Sequence, residues 1–170
     1  LRNNVDEWIK DSLGDFNYKT NSATVYKYWE ERVKETQNLQ AIYTLGMRGI
    51  HDSGMEGFES IEEKKEALET IIIDQQNILQ KNLQKKITEI PQAFIIYKEV
   101  LEIYDYGLKL PDEIILVWTD DNYGYIRRLN TPDESKRLGG SGLYYHISYW
   151  GRPHDYLWLS TTHPLLIWEE

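Results

Sequence analysis

Ile114-Ile115-Leu116-Val117-Trp118-Thr119-Asp120-Asp121-Asn122-Tyr123-Gly124 is an unbroken apolar run that stops at a cluster of polar, mostly ionisable side chains. A strand covered on both faces reads as continuous apolar sequence rather than alternation, so this stretch predicts a buried strand with a polar C-terminal end. The pattern recurs. Ala41 to Met47 ends in Arg48, His51 and Asp52, Ala93 to Ile96 ends in Tyr97, Lys98 and Glu99, and Leu143 to Tyr145 ends in His146 and Tyr149. When parallel strands alternate with helices, their C-terminal ends share one rim, so the four clusters are expected to converge on one pocket.

The segments between these runs carry helical spacing. From Ser22, the residues Val25, Tyr28, Trp29 and Val33 mark one face of a surface helix. Ser60 with Glu63 forms a capping box ahead of a long amphipathic helix through Leu83, and Lys98 to Gly107 returns to helix with the glycine as its stop. Thr131, Pro132 and Glu134 predict a further helix start, and Pro164 to Glu170 a last short helix. Residues 1–21 form a lead-in segment with a short amphipathic piece at Val5 to Ile9, and residues 22–170 form the α/β part. The fold class is therefore α/β, a fragment of a TIM-like (β/α) barrel with about four βα units. At 170 residues the chain is shorter than the roughly 200 to 250 that a complete eight-stranded barrel takes. Its start at Leu1 and its end at Glu169-Glu170 in helix-like sequence add to the expectation of a piece of a longer protein.

A formal charge of −9, from 28 acidic and 19 basic residues, repels phosphate backbones and anionic membranes, so neither nucleic acid nor membrane is an expected partner. The chain has no cysteine, which excludes disulfides, thiolate catalysis and Cys-ligated metal. Thirteen tyrosines and six tryptophans against three phenylalanines favour rings with a polar handle, which suit a wet sugar-gripping surface. No GxSxG elbow, P-loop or GxGxxG is present. The four histidines lack HxH or HExxH spacing, so no metal and no cofactor is expected. Gly139-Gly140-Ser141-Gly142 precedes a strand rather than a helix and so lacks the helix N-terminus that binds phosphate.

Four stretches carry a specific resemblance. They are Tyr43 to Met55, Ile96 to Val100, Trp118 to Leu129 and Gly140 to Tyr149, and in this order they resemble the catalytic domain of glycoside hydrolase family 115, the xylan α-1,2-glucuronidases. The resemblance implies a TIM-like barrel within a larger, commonly dimeric enzyme, usually exported by bacteria and so secreted or periplasmic. It implies removal of glucuronic acid or its 4-O-methyl ether from glucuronoxylan with inversion, with the remainder of the parent chain completing the pocket.

Inverting hydrolysis needs a protonated carboxyl on the leaving-group side and a carboxylate that activates water across the ring, roughly 6.5 to 9.5 Å away. Glu99 is the choice for general acid, because it follows the second strand beside Tyr97; the plainer reading is a glutamate placed for a helix dipole. Asp52 leads for general base, with Asp120 and Asp121 as alternatives, and that pair could instead cap a turn or bind Arg127 and Arg128. Arg48 suits the substrate carboxylate, since a guanidinium offers two parallel hydrogen bonds; its plainer role is a salt bridge to Asp52 or Glu56. His51, Tyr97, Asp120, Asp121, Asn122, His146 and Tyr149 complete the expected substrate contacts. Two rival readings stand beside this one: a non-catalytic carbohydrate-binding or scaffolding piece, and a metal-dependent barrel aldolase or isomerase built on Asp120, Asp121 and His146.

Overall fold

The computed structural model describes residues 5–50, 53–121, 125–146, 149–151 and 154–156, the last two groups by backbone alone. The expected helix at Pro164 to Glu170 lies outside the described residues, as do His51, Asp52 and Asn122 and the side chain of Tyr149. Helices α1 (Val5–Lys10) and α2 (Tyr18–Thr36) precede strand β1 (Tyr43–Leu45), and α3 (Ile61–Leu83) leads to β2 (Gln92–Ile96). Helix α4 (Glu99–Asp105), β3 (Ile115–Thr119) and β4 (Ser141–Tyr144) follow. The four strands form one sheet in the order β1-β2-β3-β4, parallel throughout. Four parallel strands alternating with helices make this a partial (β/α) barrel. A separate antiparallel pair, β5 (Tyr149–Gly151) with β6 (His154–Tyr156), had no signal in the sequence reading. Among the described residues no helix is long and apolar enough to cross a membrane.

The core forms where α2 and α3 meet the sheet. Val25, Tyr28, Trp29 and Val33 of α2 and Leu68, Ile71, Ile72, Ile78 and Leu79 of α3 are buried with Phe94, Ile96, Leu116 and Trp118 of the strands. The lead-in joins this core, with Trp8 edge-on to both Phe16 and Tyr28. In β3, Leu116 and Trp118 are buried whereas Ile115, Val117 and Thr119 are only half-buried. Continuous apolar sequence thus predicts two covered faces, but within this chain helices cover only one. The other is the face a closed barrel turns to its lumen.

Local chemistry explains where boundaries moved. Asn17 caps α2, its Oδ1 accepting from the N–H groups of Lys19 and Thr20 at 2.8 and 3.3 Å, so the helix starts before Ser22. The non-helical Asn21 kinks it there, with Nδ2 donating to the Leu13 and Asp15 carbonyls. Ser60 caps α3 as expected, its Oγ accepting from Glu63 N–H at 3.1 Å, while the Glu63 carboxylate reaches back to Glu59 N–H. The Thr131 box also forms, but only a single 3-10 turn, Glu134–Lys136, grows from it. Arg137 donates to the Pro111 carbonyl at 2.6 Å, and Gly139 then passes so close to the start of β3 that a Cβ would lie 2.5 Å from the Glu113 oxygen. That near approach to the sheet leaves no length for a helix.

Glu134 also anchors this turn. Burial alone would raise its carboxyl, but Arg128 at 2.7 Å, the Thr131 N–H and the Tyr104 hydroxyl outweigh that and hold it at about 2. Arg128 in turn lies over the Trp118 ring at 4.5 Å and pairs with Asp105 at 3.2 Å. A carboxyl depressed on folding contributes stability that is complete above its unfolded value near 4.5 and is lost as pH falls toward 2. Stability measured by urea unfolding should therefore drop by about 2 kcal/mol more between pH 6 and pH 2.5, roughly, in the native protein than in Glu134→Gln. Equal slopes would contradict this account.

Candidate active site

The rim begins at the end of β1. Gly46 takes φ 96°, and a Cβ there would fall 2.9 Å from the Phe94 ring, so glycine is required for the chain to turn over β2. The buried Gln75 of α3 holds this turn from beneath: its Nε2 donates to the Gly46 carbonyl at 3.0 Å, and its Oε1 accepts from Gly46 N–H at 2.7 Å. These bonds set the direction in which Arg48 leaves the strand. Gln75→Leu would leave two backbone groups buried without partners and should destabilise the protein by about 2 to 4 kcal/mol in urea unfolding. No change beyond about 0.5 kcal/mol would show that the turn is held by packing alone.

Arg48 reaches Glu99 across the rim. Nε donates to Oε1 at 2.9 Å and Nη2 to Oε2 at 3.1 Å, a two-bond clamp, and the guanidinium lies 5.5 Å from the centre of the Tyr97 ring. Glu99 is thus a partner of Arg48 that the sequence did not suggest, while the expected bridge to Asp52 falls on a residue outside those described. Lys98, between Tyr97 and Glu99, has φ 51° and ψ −125° and lies 4.9 Å from the same ring. That is the geometry of the first central residue of a type II′ turn, which favours glycine. Strain of this kind, typically about 1 to 3 kcal/mol, turns the chain sharply from β2 into α4 and puts Glu99 at the first helical position, facing Arg48. Tyr97, Glu99 and Arg48 thus form one cluster.

The second cluster lies at the ends of β3 and β4. Asp120 is 1% exposed and spends both oxygens on one residue, Oδ2 accepting the His146 N–H at 3.0 Å and Oδ1 meeting His146 Nδ1. With Nδ1–H given to a carboxylate, the ring presents Nε2 as its other face. Tyr144 packs against His146 edge-on at 5.1 Å. Asp121 turns the other way, its carboxylate accepting from Arg127 Nε at 2.7 Å and from Tyr125 N–H at 3.0 Å. The paired aspartates are therefore split, Asp120 inward and Asp121 toward a half-exposed surface turn. Among the described residues no three His, Asp or Glu side chains group as metal ligands. Register joins the two clusters, because Ile96 pairs with Trp118 and Thr119 with Tyr144, and Thr119 Oγ1 donates to the Ile96 carbonyl at 2.5 Å.

Of the expected site residues, Arg48, Tyr97, Glu99, Asp120 and His146 stand at the C-terminal ends of adjacent parallel strands, and Asp121 is on the same rim but engaged by Arg127. Asp52, His51 and Asn122 lie outside the described residues, and Tyr149 is described by backbone alone. Gln75 and Tyr144 were missed. A glutamine in the apolar stripe of an amphipathic helix is the one signal that could have pointed to the first. Glycosyl hydrolase family 115 matches the sequence over residues 1–170.

The chain belongs to glycoside hydrolase family 115.

A solved member of family 115 agrees with it in structure. That protein, described as the 4-O-methyl-α-glucuronidase BtGH115A with specificity for decorated arabinogalactans, is 52% identical over 96% of this chain with a TM-score of 0.87. The chain spans 22% of that protein's length. No curated protein matches it. The family 115 assignment agrees with the motifs at Tyr43 to Met55, Ile96 to Val100, Trp118 to Leu129 and Gly140 to Tyr149, which end on the rim just described.

Proposed function

We propose that this chain is part of an α-glucuronidase that removes glucuronic acid or its 4-O-methyl ether from a plant polysaccharide by inversion. The observation that carries the reading is the Arg48–Glu99 pair at the mouth of the sheet, which sets a guanidinium fork suited to a uronate beside a carboxyl positioned at the same rim. In this reading Arg48 takes the uronate carboxylate, and Glu99 passes its proton to the glycosidic oxygen as that bond breaks. Asp52 takes a proton from the water that attacks the anomeric carbon from the opposite face, and the cycle closes as Asp52 releases that proton to solvent and Glu99 takes one up. His146, oriented by Asp120, and Tyr97 serve the sugar hydroxyls, with His51, Asp121, Asn122 and Tyr149 as further contacts.

Glucuronoxylan is the polysaccharide proposed here, on the resemblance carried by the motifs. A second reading, uronate carried on arabinogalactan, is favoured by the likeness to BtGH115A. Incubating the parent protein with glucuronoxylan and with glucuronate-decorated arabinogalactan, and measuring the free uronic acid, separates them. Release from xylan supports the first, release from arabinogalactan alone the second, and release from neither removes the glucuronidase reading.

A further inference from the structure

A carboxyl that must donate a proton is here held by both oxygens in a guanidinium fork, at 2.9 and 3.1 Å. In that state neither oxygen can be offered to a leaving group. The pair is also within reach of solvent and ligand, with the Arg48 and Glu99 side chains 22% and 32% exposed. Two carboxylates cannot both occupy the same Nε–Nη2 edge of one guanidinium, so a ligand carboxylate that takes this edge competes directly with Glu99 for Arg48.

We propose that Arg48 is handed over: a bound uronate draws the guanidinium off Glu99, and Glu99 then takes from solvent the proton it donates in the reaction. This rests on the glucuronidase reading and adds the origin of selectivity for uronic acids. Loss of a neighbouring cation and arrival of a neighbouring anion both favour the protonated carboxyl. The charged and titratable groups facing Glu99 among the described residues are Arg48 from the β1 end and, around its own turn, Tyr97 and Lys98. The Gly54 segment passes close by, where a Cβ would sit 3.7 Å from Oε1. Lys98 stays through the hand-over, so the gain in proton affinity is bounded and the proton remains exchangeable. A neutral sugar carries nothing to pull Arg48 away, so Glu99 stays clamped, and discrimination falls on kcat more than on KM.

The test is calorimetric binding of D-glucuronate to the parent protein near neutral pH, in two buffers of different ionisation enthalpy. The wild-type protein should take up a fraction of a proton per glucuronate bound, rising as the pH is lowered from neutral, and D-glucose should cause no uptake. Glu99→Gln should lose the uptake and bind glucuronate more tightly than wild type, because the Glu99 carboxylate no longer competes for Arg48. Heats that do not depend on buffer in the wild type, or an uptake that survives in Glu99→Gln, would overturn the hand-over. If the protein releases uronic acid from polysaccharide but shows no uptake, the hand-over alone is wrong; if it neither releases nor binds glucuronate, the glucuronidase reading falls and takes the hand-over with it. Should Glu99→Gln fail to fold, the wild-type buffer comparison decides by itself.

Discussion

Glu99→Gln is expected to lower kcat of the parent protein on glucuronoxylan by about 10³-fold, within the range that a positioned general acid contributes. On a nitrophenyl glucuronide, whose leaving group departs without needing a proton, the same variant loses far less. The contrast isolates proton donation from folding and from binding, since both substrates present the same uronate to Arg48. Steady-state kinetics on the two substrates measures it, and an equal loss on both would assign Glu99 to holding Arg48 rather than to the chemistry. The amide keeps the shape and can still accept from Arg48, so the clamp weakens rather than disappears.

Asp120→Asn should cost about 10²-fold in kcat. The buried carboxylate takes the backbone N–H and Nδ1 of His146 at once, and asparagine has one oxygen for two donors. If that oxygen keeps the backbone bond, the amide N–H₂ faces Nδ1 and drives the ring to the opposite tautomer, with its proton on Nε2 toward the rim. A ring that accepted from a sugar hydroxyl then donates instead. The pH profile of kcat and the imidazole proton resonances should both change while the circular dichroism spectrum does not. A variant with lost helicity and an unaltered profile would make Asp120 a structural residue of the β3–β4 junction.

Much of the rim was readable because two periodicities coincide with a change of polarity. The Ile114 to Trp118 run gave β3 almost to the residue, and Gln92 to Ile96 gave β2, since a strand facing helices must be apolar and must stop where the chain meets the mouth. Parallel order then placed Arg48, Glu99, Asp120 and His146 on one side without any knowledge of contacts. Their pairings were not readable, because they depend on which way a turn bends. That Glu99 meets Arg48 was not foreseen, and the strained Lys98 that aims it has no signature in a sequence where glycine would be the natural choice. The expected alternative for the aspartate pair, a turn cap or a bond to Arg127, holds for Asp121 and not for Asp120, because successive residues leaving a strand point to opposite sides. The helix expected after Thr131 failed for a different reason. Its cap is genuine, but the Arg137 anchor and the close passage of Gly139 over β3 end it after one turn.

Proton NMR of the parent protein acting on glucuronoxylan tests the two-carboxylate rim most directly. Free uronic acid whose β-anomer signal appears first, with the α signal growing only by mutarotation, is the result predicted. An α anomer formed first, or no uronic acid from either glucuronoxylan or glucuronate-decorated arabinogalactan, would contradict it.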